Sequence, residues 1–272
     1  MESDLTLLIR LRAFFRCIER LILPLAFVVG SATAGRTQAP PALQTGDFSK
    51  LAARLTSDRA DGTDESEAVE RQALAILDKV ALEQLNSTAL NLDALNQRLA
   101  GFVTHQPPVG ESYRVVRIGA EPQAYALVAN FGLSGPSAVR LYSGAAGHLA
   151  LTARIDPFAQ KDFFDDYIDL VPLAGSSGLF VSIAGRTDDL GTGIFTAWRF
   201  DGQQVTALWT SDILEQSNYE VATDGLRLTF CGETDPTDFR VCKRMQRDRY
   251  AWQDGAWKRV ETGAAPAAAT KP

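Results

Sequence analysis

The sequence predicts a mainly β chain with N-terminal helices (α+β): an antiparallel meander of about three four-stranded repeats, partial-propeller-like, capped by a small helical region. Three observations carry this expectation. Apolar residues recur at helical spacing between residues 47 and 104, then switch to strand-like alternation at Tyr113. From Tyr113 onward, short β-rich runs are separated by Gly, Asp-Gly and Ser-Gly. The punctuation also repeats. Gly132, Gly185 and Gly232 close three strands and lie 53 and 47 residues apart, while the turn glycines Gly147, Gly202 and Gly255 lie 55 and 53 apart.

Residues 1–34 read as an export signal. Arg10, Arg12, Arg16 and Arg20 precede the uncharged stretch Leu21 to Val29, and Ala32 and Ala34 stand at −3 and −1 of a cut after Ala34. The apolar segment falls short of the roughly 20 residues that span a bilayer. An uncleaved anchor is the rival reading. It would draw Arg20, Glu19 and Arg16 into the membrane at high cost. Residues 35–46, with Pro40-Pro41, read as a tether.

The helical cap is expected at 47–104. Phe48, Leu51 and Leu55 share one face of a first short helix. Asp64-x-x-Glu67 has capping-box spacing before Val69, Ala73, Ile76, Leu77, Val80 and Leu85. Asn91 is placed to cap a third helix carrying Leu92, Leu95, Leu99 and Phe102. Asn86-Ser87-Thr88 is formally a glycosylation sequon.

The antiparallel repeat domain is expected at 113–261, with an Ala-rich tail at 262–272 read as disordered. Strand-like runs include Tyr125 to Phe131, Leu179 to Ala184 and Leu226 to Cys231. Arg240 to Met245 and Arg249 to Trp252 read as two further runs. Asp-Gly at Asp201-Gly202 and Asp254-Gly255 favours tight turns whose twist suits antiparallel pairing. One sheet cannot bury both of its faces alone, so successive units are expected to stack on one another and on the helices.

Cys231 and Cys242 flank a turn centred on Pro236 and Thr237, and symmetric pairing about it would set them directly opposite. They are the expected disulfide. Two buried thiols are the alternative, and no CxxC spacing favours redox or zinc chemistry.

At 272 residues, 46% hydrophobic and 22% charged, the chain has ordinary globular composition. A net charge of −6 argues against an electrostatic nucleic-acid binder. His105 and His148 are the only histidines, too few for a His-rich metal site, and each reads as structural. No nucleophile elbow, phosphate loop, dinucleotide fingerprint or H-E-x-x-H occurs. Carboxylates are the chemical resource left: Asp156, Asp162, Asp165, Asp166 and Asp169 between the first two repeats, Asp188 and Asp189 in a second loop, and Glu233, Asp235 and Asp238 in the cysteine hairpin. Paired carboxylates serve glycoside hydrolysis or Ca²⁺ binding; a solvated acidic rim is the plainer reading. Arg240, Lys243, Arg244, Arg247 and Arg249 are mixed in parity and read as partners for those acidic loops.

The expectation is therefore a secreted or periplasmic, envelope-associated, non-catalytic binding module. No cofactor and no metal are expected, and the partner is an unknown protein or glycan of the cell envelope. No nucleic acid is expected as a partner, and a membrane contact arises only through the signal segment if it stays uncleaved. The alternative is a carboxylate-dependent glycan hydrolase.

Overall fold

The structure, a computed structural model, describes residues 45–57, 64–103, 111–119, 123–132, 136–155, 167–173, 178–185, 191–222, 225–238 and 240–265. The export signal, most of the tether, His105, and the acids at 156, 162, 165, 166, 188 and 189 lie outside the described residues.

Among the described residues three helices come first: α1 (Thr45–Ser57), α2 (Asp64–Leu85) and α3 (Leu92–Ala100). Asn91 caps α3 as its sequence position suggests, its side chain accepting from the Ala94 amide at 3.0 Å. Twelve strands follow among the described residues. β1 (Ser112–Gly119), β2 (Gln123–Asn130), β3 (Ser137–Gly144) and β4 (Ala150–Ile155) make the first sheet. β5 (Tyr167–Pro172), β6 (Leu179–Gly185), β7 (Gly193–Phe200) and β8 (Val205–Thr210) make the second. β9 (Asn218–Ala222), β10 (Gly225–Thr234), β11 (Cys242–Gln253) and β12 (Ala256–Ala264) make the third. Each sheet is an antiparallel meander in sequence order. Among the described residues no barrel or propeller closes.

The sheets stack in chain order. The helices cover one face of the first sheet, with Phe48, Leu77, Leu95 and Leu99 against Tyr113, Leu127, Phe131 and Tyr142. Around Phe48 the rings of Phe102, Tyr113 and Phe131 stand at centroid distances of 5.1, 5.4 and 6.2 Å. The other face of the first sheet packs Ile118, Val128, Val139 and Leu141 onto Ile168, Leu170, Phe180 and Phe200 of the second. The second sheet turns Val181, Ile183 and Phe195 toward Leu226 and Leu228 of the third. This layering explains why β2 and β6 read as nearly unbroken apolar runs: both faces of each are buried.

The stack ends on charge. Glu220, Arg227, Arg249 and Glu261 occupy one cross-strand rung of the third sheet, and Arg227 reaches Glu220 at 2.9 Å. This rung shares the face opposite Leu226 and Leu228, so the last layer presents a polar surface, as terminal repeats of stacked folds do.

Four details differ from the sequence expectation. The runs expected at 240–245 and 249–252 join in one strand, β11, which starts at Cys242. Gln246 and Asp248 interrupt the apolar alternation there, but Asp248 is buried and its polarity is satisfied inside the sheet by Thr262 at 2.6 Å and Gln246 at 3.0 Å. β12 continues to Ala264, so the first residues assigned to the tail pair in the ladder. Of the basic run read as partners for the acidic loops, Lys243 and Arg244 do meet Asp235 and Glu233, whereas Arg247 and Arg249 lie on the Arg227 face, because Arg227 pairs with Arg249 and Thr229 with Arg247. The Asn86 amide of the sequon is committed to the protein, donating to the Leu149 carbonyl at 2.9 Å and accepting from its N–H at 2.6 Å.

Candidate functional site: an arginine-lined groove beside the helical cap

A groove of about 530 Å³ lies between α2 and the β3–β4 side of the first sheet, lined by Glu67, Glu70 and Arg71 from the helix and Arg140 and Arg154 from the strands. That volume is of the size that ligand sites occupy, roughly 300 to 1,000 Å³. Its floor is ordered from below. The Arg140 guanidinium meets the Asp78 carboxylate in a two-pronged contact, with Nε to Oδ1 at 3.1 Å, and Tyr142 donates its hydroxyl to the same Oδ1 at 2.6 Å. Arg140 and Asp78 are each only 14% exposed, so the pair is held in a low-dielectric seam and fixes the helix to the strand. Burial, reinforced by the Asp78 charge, pushes the Tyr142 phenol well above its ordinary range, so it remains a donor.

Arg154 stands directly opposite Arg140 across β3 and β4. Like charges facing each other across a ladder repel. Asp78 neutralises Arg140, and Glu67 neutralises Arg71 at 3.1 Å. Arg154 is exposed, and among the described residues no carboxylate pairs with it. The groove thus offers one exposed guanidinium with no ion-pair partner among the described residues, in a lining that also holds Glu70 and an apolar wall including Leu74 and Val139. None of these residues stands out in the sequence. They belong to three separate segments, and only the register places Arg140 beside Arg154.

No family model, no curated protein and no solved structure matches this chain.

The acids singled out by sequence are dispersed, and each described one is engaged. Asp169 pairs with Arg114 across the first two sheets and accepts from the Leu170 amide at 2.6 Å. Glu233 faces Arg244 at 3.8 Å. Asp235 faces Lys243 at 3.2 Å. Asp235 also accepts the Thr237 hydroxyl and amide at 2.5 and 2.7 Å, bonds that draw its carboxyl below the usual range. Asp238 accepts from the Arg240 amide at 3.0 Å. Among the described residues no group of three or more His, Cys, Asp or Glu is placed to hold a metal. His148 is exposed in the β3–β4 turn, its amide bonded to the Ala145 carbonyl at 2.9 Å.

Cys231 and Cys242 form a disulfide with Cα atoms 5.6 Å apart. They are not ladder partners: Cys231 pairs with Met245 and Cys242 with Thr234, across two register shifts at Glu233. The bulged backbone, rather than direct opposition, brings the sulfurs together. No helix among the described residues is long and apolar enough to cross a membrane.

Proposed function

We propose that this chain is an exported, envelope-associated, non-catalytic binding module. It holds an anionic group of an envelope protein or glycan in the groove between α2 and the β3–β4 strands. One observation carries the reading: Arg140 and Arg154 face each other at the groove, and among the described residues only Arg140 is paired with a carboxylate. The disulfide supports an oxidising compartment, and the signal-like segment at 1–34 supports export.

In this reading the stack is an arc of propeller-like blades. The contact of β1 and β2 with β5, and of β8 with β4 and β12, supports it. The arc has no need to close. Helices cover its first face and a charged rung finishes its last.

The test uses the disulfide-intact chain from Gly35 to Pro272. It is titrated with polygalacturonate and with neutral dextran of equal length, alongside Arg154→Glu. The reading expects the acidic polymer alone to bind and Arg154→Glu to abolish it. Release of reducing ends from a glycan panel, with no binding that depends on Arg154, would favour the carboxylate hydrolase instead.

A further inference from the structure

We infer that the Cys231–Cys242 hairpin is a thiol-sensitive latch on the joint between the second and third sheets. The inference goes beyond the binding-module reading and does not depend on it. The joint is the connection from β8 to β9, residues 211–217. The second sheet grips this strap along its length. Ser211 and Leu214 donate their amides to the Phe195 and Gly193 carbonyls at 2.9 Å each, and the Gly193 amide donates to the Leu214 carbonyl at 3.0 Å. The buried Thr192 donates its hydroxyl to the Glu215 carboxylate at 2.8 Å. Ser217 donates its amide and its hydroxyl to the Gly191 carbonyl at 2.9 and 2.8 Å.

The disulfide hairpin of the third sheet holds the same strap from the other side, at two points. The Cys231 amide donates to the Glu215 carbonyl at 2.8 Å. The Gln216 side-chain amide donates to the Arg240 carbonyl at 3.0 Å. Gln216 makes that bond from a φ of 49°, a left-handed conformation that residues with side chains rarely adopt. Such a backbone persists only where its surroundings impose it.

The disulfide fixes the base of that hairpin. Between Cys231 and Cys242 the ladder shifts register twice at Glu233, so the cross-link rather than regular pairing sets how Cys231 and Arg240 face the strap. The tip holds itself, with Asp235 donating to the Val241 carbonyl at 2.8 Å and Val241 to the Asp238 carbonyl at 2.9 Å. Cutting the bond therefore frees the base, which carries the Cys231 amide. The bond is within reach of a reductant: both cysteines are partly exposed, and Gly232, Glu233, Val241 and Lys243 beside them are exposed. A small dithiol closes the balance. Its first thiolate attacks one cysteine sulfur and expels the other as a thiolate; its second displaces the cysteine from the mixed disulfide. Two electrons and two protons pass to the protein, leaving two cysteine thiols and the oxidised dithiol.

The experiment follows amide exchange of the disulfide-intact chain with and without dithiothreitol, free of denaturant, and alkylates the thiols released. Both cysteines are expected to react in the folded chain. Exchange at 211–217 is expected to quicken about tenfold on reduction, along with the closed loop, while β2 and β6 keep their protection. Gln216→Gly suits the left-handed backbone and removes only the side-chain bond. It is expected to quicken 211–217 with the disulfide intact. Protection at 211–217 that survives reduction, or survives Gln216→Gly, overturns the latch. A disulfide that yields only when β2 and β6 also lose protection does the same.

Discussion

The side-chain amide of Asn130 acts as a piece of strand for Ile168: its Oδ1 accepts the Ile168 N–H at 2.8 Å and its Nδ2 donates to the Ile168 carbonyl at 2.9 Å. Asn130 lies on β2 and Ile168 on β5, so the bond pair ties the first sheet to the second. The same device recurs twice. Asn96 on α3 pairs with the backbone of Val115 at 2.7 and 3.0 Å, and Asn86 pairs with Leu149 at 2.6 and 2.9 Å. An amide is the side chain that offers a donor and an acceptor in this geometry.

Asn130→Asp removes the donor and leaves the Ile168 carbonyl facing a carboxylate. Asn130 is 4% exposed, so water cannot replace the bond. Denaturant unfolding should show a loss of about 2 to 4 kcal/mol, whereas an Asn91→Ala change at an exposed cap should cost about 1 kcal/mol.

Phe48 anchors α1 to the first sheet through ring contacts with Tyr113 and Phe131, meets Phe102 just after α3, and is fully buried. Phe48→Ala should cost about 3 to 5 kcal/mol. Limited proteolysis should then cut within 45–57 before any strand.

Much of this architecture is legible in the sequence, for reasons that particular residues make clear. The glycine spacing reports a repeat because each meander sets a glycine of positive φ, Gly147, Gly202 or Gly255, in the turn between its third and fourth strands. Asn91 and the stripe of Leu92, Leu95 and Leu99 report α3 because cap and period agree. β11 is obscured because Asp248 occupies an inward position that alternation reserves for an apolar residue. The groove is hidden because its charges meet only through the pairing of β3 with β4 and the docking of α2. An aromatic contact is likewise hidden: Trp209 and Tyr250 are 41 residues apart and touch only when the second and third sheets stack.

Asp248 sets a pH dependence. Burial pushes its carboxyl up, but bonds from Thr262, Gln246 and Arg259 outweigh that and hold it below the usual range. A folded value below the unfolded one, about 3.9, contributes stability that is complete above the unfolded value. That stability is lost as pH falls through the folded one. Thermal melts of the parent chain should therefore decline below about pH 4 more steeply than those of Asp248→Asn.

The disulfide closes a short loop, so its effect should be modest and local. Replacing Cys231 and Cys242 by serine should cost on the order of 2 to 3 kcal/mol. Amide exchange should quicken within 232–241, with β2 and β6 unaffected.

Hydrogen exchange resolved by strand tests most directly whether the layers succeed one another from helices to charged rung. The slowest amides should lie in β2, β3, β6 and β7, the paired inner strands of sheets covered on both faces. β9 and β12, edge strands of the last layer, should exchange fastest among the strands. Protection of β9 and β12 equal to that of β6, or rapid exchange throughout β2, would contradict the stacked order.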